Sequence, residues 1–562
     1  MAAASRLLAP SPPLRGLAVS ALLPLMLAGG GCRASLPTDH ASTATTPAAA
    51  TPEAITPTVA IPAAPPPPGA VAMESELHWP VPPPPNPDPR DPRLWVALAA
   101  RLAPATQAAA PVPLRLRSAR GALTLTDAAG HRVQAADLVL HWRWQTLAQP
   151  RIWRRQVLGP FASFESAEQA ADQWRQLGVE AVIAHPGDWE VWAPASALPP
   201  LGLQPRLQER RLLGRWLPEL RPAEGARRLQ EPIRIEAPGG LRWQNGVYGG
   251  PFRLQPDAYG SWALLEEVPL ERYLEGVVPH EIGAGSPAAA LAAQAVLART
   301  WALRNQHRYR VDGYHLCADT QCQVYGDPRQ AGGAVRQAIA STRHQVLSYG
   351  GRPIHAVYHA TNGGVAAGFE EVWSGAPLPY LKAFVDAPSS LQASLPLPLQ
   401  PEGLALLLRQ GGTAYGANHP VFRWQRQLSA AQISAALRGV APRLGEPRSV
   451  KVLQRGPSGR VLALEIVGSG DTTVLRLDAI RRNLRTLPST LFEVRPVTAG
   501  QWRVVGGGFG HGAGLSQAGA IDLARRGWGL QRILQHYYPG TALLPLTGLQ
   551  SEAPPVIPER HP

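Results

Sequence analysis

Between Pro287 and Asn305 the chain offers almost no polar side chain, and this stretch constrains the fold more than any other. Ser286-Pro287 predicts a helix start, with Ser286 as N-cap and Pro287 in the first helical position, where its missing N–H is not needed. Leu291, Ala292, Ala295, Val296, Ala298 and Ala302 then run round every side of a helix ending near Asn305. A helix that is apolar all round has to be enclosed on all sides, so a sizeable core must be built about it. Gln294, Arg299 and Thr300 are its polar exceptions. A buried guanidinium needs acceptors, so Arg299 is expected to meet a carboxylate or a carbonyl.

The rest reads as a tether and two folded regions. Sixty prolines in 562 residues are about twice the usual share, and many crowd into residues 35–93 among Ala and Thr. Pro65 to Pro68 and Pro82 to Pro85 favour extended polyproline backbone, so this segment is expected to be a disordered, semi-rigid linker with no core of its own. Residues 1–34 read as a signal peptide. Arg6 and Arg15 supply charge, Gly16 to Leu27 is an apolar run too short for a bilayer span, and Gly29-Gly30-Gly31-Cys32 follows. Small residues before a cysteine point to lipidation of Cys32 and anchoring at a membrane surface; cleavage near Ala34 is the alternative. Both imply an exported protein of the periplasm or cell envelope. The balance of 54 Lys and Arg against 40 Asp and Glu gives a net charge of +14. The arginines are dispersed with no basic stripe, and export separates the chain from the chromosome. Nucleic acid is therefore excluded as a partner, whereas anionic wall polymers or lipid headgroups suit the charge.

Residues 94–224 are expected to form a small α+β domain whose clearest unit is 157–193. Ser166-Ala167-Glu168-Gln169 has the capping-box pattern, and Ala167, Ala170, Ala171, Trp174 and Leu177 follow at helical spacing up to Gly178. Val179 to Ala184 and Trp189 to Ala193 read as strands about a His185-Pro186-Gly187-Asp188 turn. This strand–helix–strand–strand unit resembles the SPOR domain, a small fold that binds peptidoglycan glycan stripped of its peptides. Residues 231–546 are expected to form a larger, mixed β-rich, catalytic-type domain with a few buried helices, so the class is α+β. Ile233 to Glu236, Leu241 to Trp243 and Trp262 to Glu266 read as strands, with Asn245-Gly246 as a hairpin turn. Residues 547–562 are expected to be a disordered tail.

The chemistry concentrates just ahead of the apolar helix. Glu281 lies in Pro279-His280-Glu281-Ile282-Gly283, read as a loop, and loops on a rigid scaffold often carry catalytic groups. A carboxyl over a buried helix is partly desolvated, which raises its pKa and favours the acid form needed to protonate a glycosidic oxygen. Standing alone, a loop glutamate is usually a solvated surface residue.

The neighbourhood changes that. Tyr273-Leu274-Glu275-Gly276-Val277-Val278-Pro279-His280-Glu281, with Ala293-Gln294-Ala295-Val296 and Ala298-Arg299-Thr300, closely resembles the stage II sporulation protein D family, which includes LytB-type amidase enhancers. The resemblance continues in order through Gln323-Val324-Tyr325-Gly326, Tyr358-His359-Ala360-Thr361-Asn362-Gly363-Gly364, Glu371-Val372-Trp373, Pro379-Tyr380-Leu381, Gly508 to Gln517 and His536-Tyr537-Tyr538-Pro539-Gly540-Thr541. It implies a lytic transglycosylase acting on glycan that lacks stem peptides, with Glu281 as its acid. Such an enzyme needs one carboxylate, first as acid and then as base while the sugar's own 6-hydroxyl closes an anhydro ring. Hydrolases instead use two facing carboxylates. Gln323, Tyr325, Tyr358, His359, His511 and Gln517 are the substrate-binding candidates. The resemblance equally implies a non-catalytic, wall-binding activator of an N-acetylmuramoyl-L-alanine amidase; a structural envelope tether is a third reading. Ile282-Gly283 replaces an expected Met-Pro-like pair, and 387–419 looks like an insertion.

No cofactor is expected. Cys317 and Cys322 suit a disulfide in an oxidising compartment. A zinc site with His307 and His315 is the alternative, because some relatives bind zinc nearby. Gly508-x-Gly510-x-x-Ala513 follows a strand as a dinucleotide loop would, but no acid-terminated second parallel strand follows.

Overall fold

The computed structural model describes residues 77–107, 110–221 and 225–549, all within a compact unit beginning at Pro68. The export signal, Cys32, most of the linker and the end of the tail lie outside the described residues. The fold is α+β.

Two large sheets hold the strands up to Cys317. The seven-stranded one runs Leu316–Cys317, Arg93–Leu102, Trp262–Pro269, Phe252–Pro256, Ile233–Glu236, Leu123–Thr126, Arg132–Ala135. Arg93–Leu102 pairs antiparallel with Trp262–Pro269 (Val96 opposite Glu266) and parallel with Leu316–Cys317. The second sheet joins Leu241–Trp243 to Leu114–Ser118 and then to the long strand Asp137–Phe161. Strands from the expected 94–224 and 231–546 regions therefore share both sheets. Residues 225–230 are a crossing inside one packed body, since period-two patterning marks a strand without naming its partner.

The linker expectation also changes at its end. Leu77 is buried and its carbonyl accepts from Arg155 Nη1 at 2.6 Å; Trp79 N donates to the Ala258 carbonyl at 3.0 Å. The Arg215 guanidinium sits 4.4 Å from the Trp79 ring centroid. Pro-rich backbone has free carbonyls to offer, and two apolar anchors suffice to lay it on the body.

The strand–helix–strand–strand order expected over 157–193 is present: Asp137–Phe161, helix α1 (Phe164–Gln176), Val182–Ala184 and Trp189–Pro194. Helix α1 starts a turn earlier than the capping-box pattern placed it. Ser163 is the N-cap, its Oγ accepting from Ser166 N at 3.3 Å. Gly178, at φ +73°, ends the helix as anticipated.

Helix α2 (Leu270–Val278) passes into a π-helical turn, Pro279–Gly283, and then into α3 (Ala288–Arg304). Ser286 is not the cap of α3. Pro287 holds that position with no side-chain bond, and Ser286 Oγ instead donates to the Ile282 carbonyl at 2.7 Å, closing the π turn. Helix α3 is enclosed as its composition demands, buried continuously from Ala290 to Ala302. Arg299, fully buried, donates to Glu271 through Nε (2.8 Å) and Nη2 (2.6 Å) and to the Gln345 carbonyl through Nη1 (3.0 Å). The expected carboxylate and carbonyl are both there.

The later chain adds two three-stranded sheets around a separate apolar cluster. The expected insertion contains helices Ser389–Ala393 and Pro401–Gln410, with Leu395, Leu404 and Leu407 in a small core. Gln501–Gly507 pairs antiparallel with both neighbours, which removes the dinucleotide-loop reading of the glycines after it.

Arg299→Met should lower stability by about 3–5 kcal/mol, the usual penalty for stripping one partner from a buried pair. The double variant Arg299→Met/Glu271→Leu should recover much of that loss. Urea midpoints of the two variants check this.

Candidate functional site

Glu281 sits on the π turn, partly buried. Single π turns inside helices recur at functional sites, and here the turn brings the carboxylate to the segment after Cys322. Its Oε1 accepts from Val324 N at 2.9 Å, and the side chains of Tyr358 and Gln517 donate toward the same carboxylate. Behind them stands a second rank. Gln323 Nε2 donates to the Tyr358 hydroxyl at 2.9 Å, Tyr273 Oη donates to Gln323 Oε1 at 3.2 Å, and Gln517 Nε2 donates to Gln294 Oε1 at 3.3 Å. Close approach of the Val324 segment depends on Gly326, where a Cβ would fall 2.4 Å from His280 Nε2.

Burial pushes the Glu281 pKa up; the Val324 N–H, Tyr358 and Gln517 pull it back, and the net shift is upward. Every donor is neutral, and no second carboxylate is among the groups acting on it. The arrangement holds a proton to higher pH than an ordinary glutamate does and can accept one back after releasing it.

Of the substrate-binding candidates, Tyr358, Gln517 and Gln323 gather around the acid. Tyr325 does not. It is 3% exposed, donates to Glu266 Oε2 at 2.9 Å and packs 5.0 Å from the Tyr273 ring, so it is part of the core. The two histidines are structural neighbours of the site. His511 Nε2 donates to the Tyr358 carbonyl at 2.8 Å while its Nδ1 accepts from Ala513 N at 3.2 Å. His359 Nδ1 donates to the Ala513 carbonyl at 3.1 Å. Burial holds both rings neutral, carrying His511 down to about 3 and His359 well below its ordinary range. They fix the parallel pairing of Tyr358–His359 with Leu515–Ser516, which sets Tyr358 and Gln517 side by side. Gly510, at φ +116°, lies so close to His359 that a Cβ there would fall 2.6 Å from the His359 Cβ, so no other residue fits. Tyr273 and Gln294 were not singled out as site residues. Their signal was a polar group on a helix otherwise apolar on that face.

Cys317 and Cys322 form a disulfide, with Cα atoms 5.7 Å apart. It closes the loop that delivers Gln323 and Val324 to Glu281. The residues do not fit zinc. His315 accepts from Trp95 N through Nδ1 (2.8 Å) and donates to the Pro85 carbonyl through Nε2 (2.9 Å), and His307 Nε2 bonds Glu168 Oε1 at 2.8 Å. Among the described residues no three His, Cys, Asp or Glu side chains are disposed to hold a metal. Nor, among them, is any helix long and apolar enough to cross a membrane.

One desolvated carboxyl, held by neutral donors on an α+β body with no second acid acting on it, defines a single-acid site. Residues 258–349 match a family described as stage II sporulation protein, and residues 367–514 match a domain of unknown function (DUF8618). The chain is 29% identical over 294 residues to stage II sporulation protein D of Bacillus subtilis, covering 50% of this chain and 75% of that one. It is 30% identical over 299 residues to the amidase enhancer of the same organism, covering 48% and 40% respectively. An uncharacterized protein of Brachyspira hyodysenteriae is 27% identical over 334 residues, covering 58% and 80%. The chain thus carries a stage II sporulation protein domain over residues 258–349 and is similar over about half its length to stage II sporulation protein D and the amidase enhancer.

A carboxyl whose pKa is raised by folding favours the folded state most when protonated, so its contribution is lost as pH rises from the ordinary glutamate range through the raised value. Glu281→Gln should therefore unfold at higher urea than the parent at pH 7.5, with the gap closing toward pH 4. A variant less stable than the parent at pH 7.5 would contradict the shift.

Proposed function

We propose that the protein is a peptidoglycan lytic transglycosylase that cleaves glycan strands lacking stem peptides, working outside the cytoplasmic membrane. The observation that carries this reading is the Glu281 carboxyl, desolvated and surrounded by neutral donors with no second carboxylate acting on it. Protonated Glu281 gives its proton to the glycosidic oxygen as the C1–O bond breaks. The carboxylate left behind takes the proton of the same sugar's 6-hydroxyl, and O6 closes on C1 to form the 1,6-anhydro product. No water is consumed, so no second carboxylate is needed to activate one, in contrast with inverting hydrolysis. Tyr358 and Gln517 hold the carboxylate between the two steps, and Gln323 and Gln294 hold them. The net charge of +14 suits a strand whose muramyl lactyl groups are free carboxylates.

Kinship to an amidase enhancer favours a second reading, activation of a separate N-acetylmuramoyl-L-alanine amidase. One experiment separates the two. Purified protein and its Glu281→Gln variant are incubated with peptide-free glycan, and separately with intact sacculi plus an added amidase; products are read by mass spectrometry. The parent should release anhydro-ended fragments, and Glu281→Gln should release at least about a hundredfold fewer, the range expected for losing a general acid. Equal release by both, or amidase stimulation with no anhydro product, would overturn the transglycosylase reading. Activity of the parent should fall as pH rises above the raised Glu281 pKa, because the acid form is lost.

A further inference from the structure

Away from Glu281, α1 and the C-terminal end of α3 form the walls of an open cavity lined by Glu168, Asp172, Arg304, Arg352, His355 and Phe369, among others. Its acids are already matched. Glu168 bonds His307, Asp172 Oδ1 accepts from Arg175 Nη1 at 2.8 Å, and the adjoining Glu165 pairs with Arg308. Its guanidinium groups make no close ion pair. Arg304 Nη2 hydrogen-bonds only His355 Nε2, at 3.1 Å, its charge reaching Glu168 without contact, and Arg352 has no carboxylate contact among the described residues. Burial, with Arg304 beside it, carries the His355 pKa down to about 3, so that ring is a neutral acceptor and adds no charge. The cavity thus sets two unmatched planar cations next to carboxylate oxygens with spare lone pairs and the Phe369 ring.

A ligand that satisfies all three must bring an anion that guanidinium can bind in the plane, hydroxyl donors for the carboxylates, and an apolar face for a ring. Packed side chains link the cavity wall to the support of the acid. Ring centroids step from His355 to Phe369 (5.3 Å), to Trp373 (5.2 Å) and to His511 (5.0 Å), and His511 donates to the carbonyl of Tyr358.

We propose that this cavity is a distal glycan subsite in which Arg304 and Arg352 bind the free lactyl carboxylate of an N-acetylmuramic acid unit. The inference rests on the glycan-cleaving reading above and extends it, because it assigns to this second place the discrimination for peptide-free strands. When a stem peptide is attached, the lactyl carboxyl is an amide without charge and the two guanidinium groups lose their counterion. Glu168 and Asp172 accept sugar hydroxyls, and Phe369 offers a face to a pyranose ring.

The test uses the full chain carrying Glu281→Gln, so that ligand is not consumed. Calorimetric titration compares a peptide-free tetrasaccharide of alternating N-acetylglucosamine and N-acetylmuramic acid with chitotetraose, which has the same backbone and no lactyl group. The lactyl-bearing ligand should bind about tenfold tighter or more, as charge-assisted hydrogen bonds imply. Adding Arg304→Gln and Arg352→Gln should bring the ratio close to one. Arg352→Gln alone, at an exposed position, should reduce it about threefold and serves if the double variant folds poorly. A preference that survives both substitutions, or equal binding of the two ligands by the parent, would overturn the proposal. Turnover plays no part in this ratio, so failure of the cleavage reading and failure of the subsite are told apart.

Discussion

Enclosure of α3 is the constraint from which the rest follows. A helix with no polar face has to be covered, and its buried polar side chains must then find partners on whatever covers it. Arg299 binds Glu271 on α2 and the carbonyl of Gln345. Thr300 Oγ1 donates to the Val296 carbonyl and accepts from Leu347 N at 2.9 Å. Gln294 is met by Gln517, at the start of the helix Gln517–Arg525. The partners outside α3 come from three elements, α2, the strand Gln345–Tyr349 and the helix Gln517–Arg525, so satisfying three side chains fixes three elements around one helix. Helix α2 is fixed by the strongest of these, the two-point Arg299–Glu271 contact, and α2 runs directly into the turn that carries Glu281. The acid stands where it does because a guanidinium one layer away required a carboxylate.

What Glu281 becomes there depends on the charge of its partners more than on its depth. Glu168 is also desolvated, yet its hydrogen bond to His307 carries its pKa down to about 2. Glu281 has three donors and still moves upward, because none of them is a cation. Glu266 shows that a raised pKa is not itself a mark of chemistry. It too is pushed up by burial, with the N–H groups of Gly249 and Gly250 and the Tyr325 hydroxyl pulling back, but at 2% exposure it lies sealed beneath Tyr325. Glu281 combines the upward shift with a side chain that still reaches the surface, and that combination is what a proton donor to an outside substrate needs.

The features legible in the sequence were those written in local periodicity. The apolar circumference of α3, the need of Arg299 for acceptors, and the helix and strands around Trp174 all follow from spacing along the chain, whereas Glu281 stood out through the resemblance of the motifs around it. Those that were not legible depend on which strand meets which. Gln323 and Tyr325 stand two residues apart in one extended segment, and nothing in their composition says that Gln323 supports Tyr358 while Tyr325 turns into the core. Leu77 and Trp79 vanish into a Pro-rich background although they anchor it. Ser286 has an ideal N-cap identity, but the π turn before it offers its hydroxyl a carbonyl first. Sequence patterns record propensity, and at these positions tertiary partners outbid it.

The interlocking of the two expected regions bears directly on how a ligand of the proposed kind would be held. Arg93–Leu102 lies between Trp262–Pro269, which leads into α2, and Leu316–Cys317, which leads through the disulfide to Gln323 and Val324. Both routes to Glu281 therefore run through a strand contributed by the N-terminal part of the described chain. The same part supplies α1, one wall of the cavity with the unmatched arginines. A binding module on a flexible linker would raise the local concentration of a strand without orienting it. A wall built into the same sheets as the acid keeps one geometry relative to it, so on the glycan-cleaving reading proposed above, interaction energy gained at the cavity would position the scissile bond instead of only tethering the ligand.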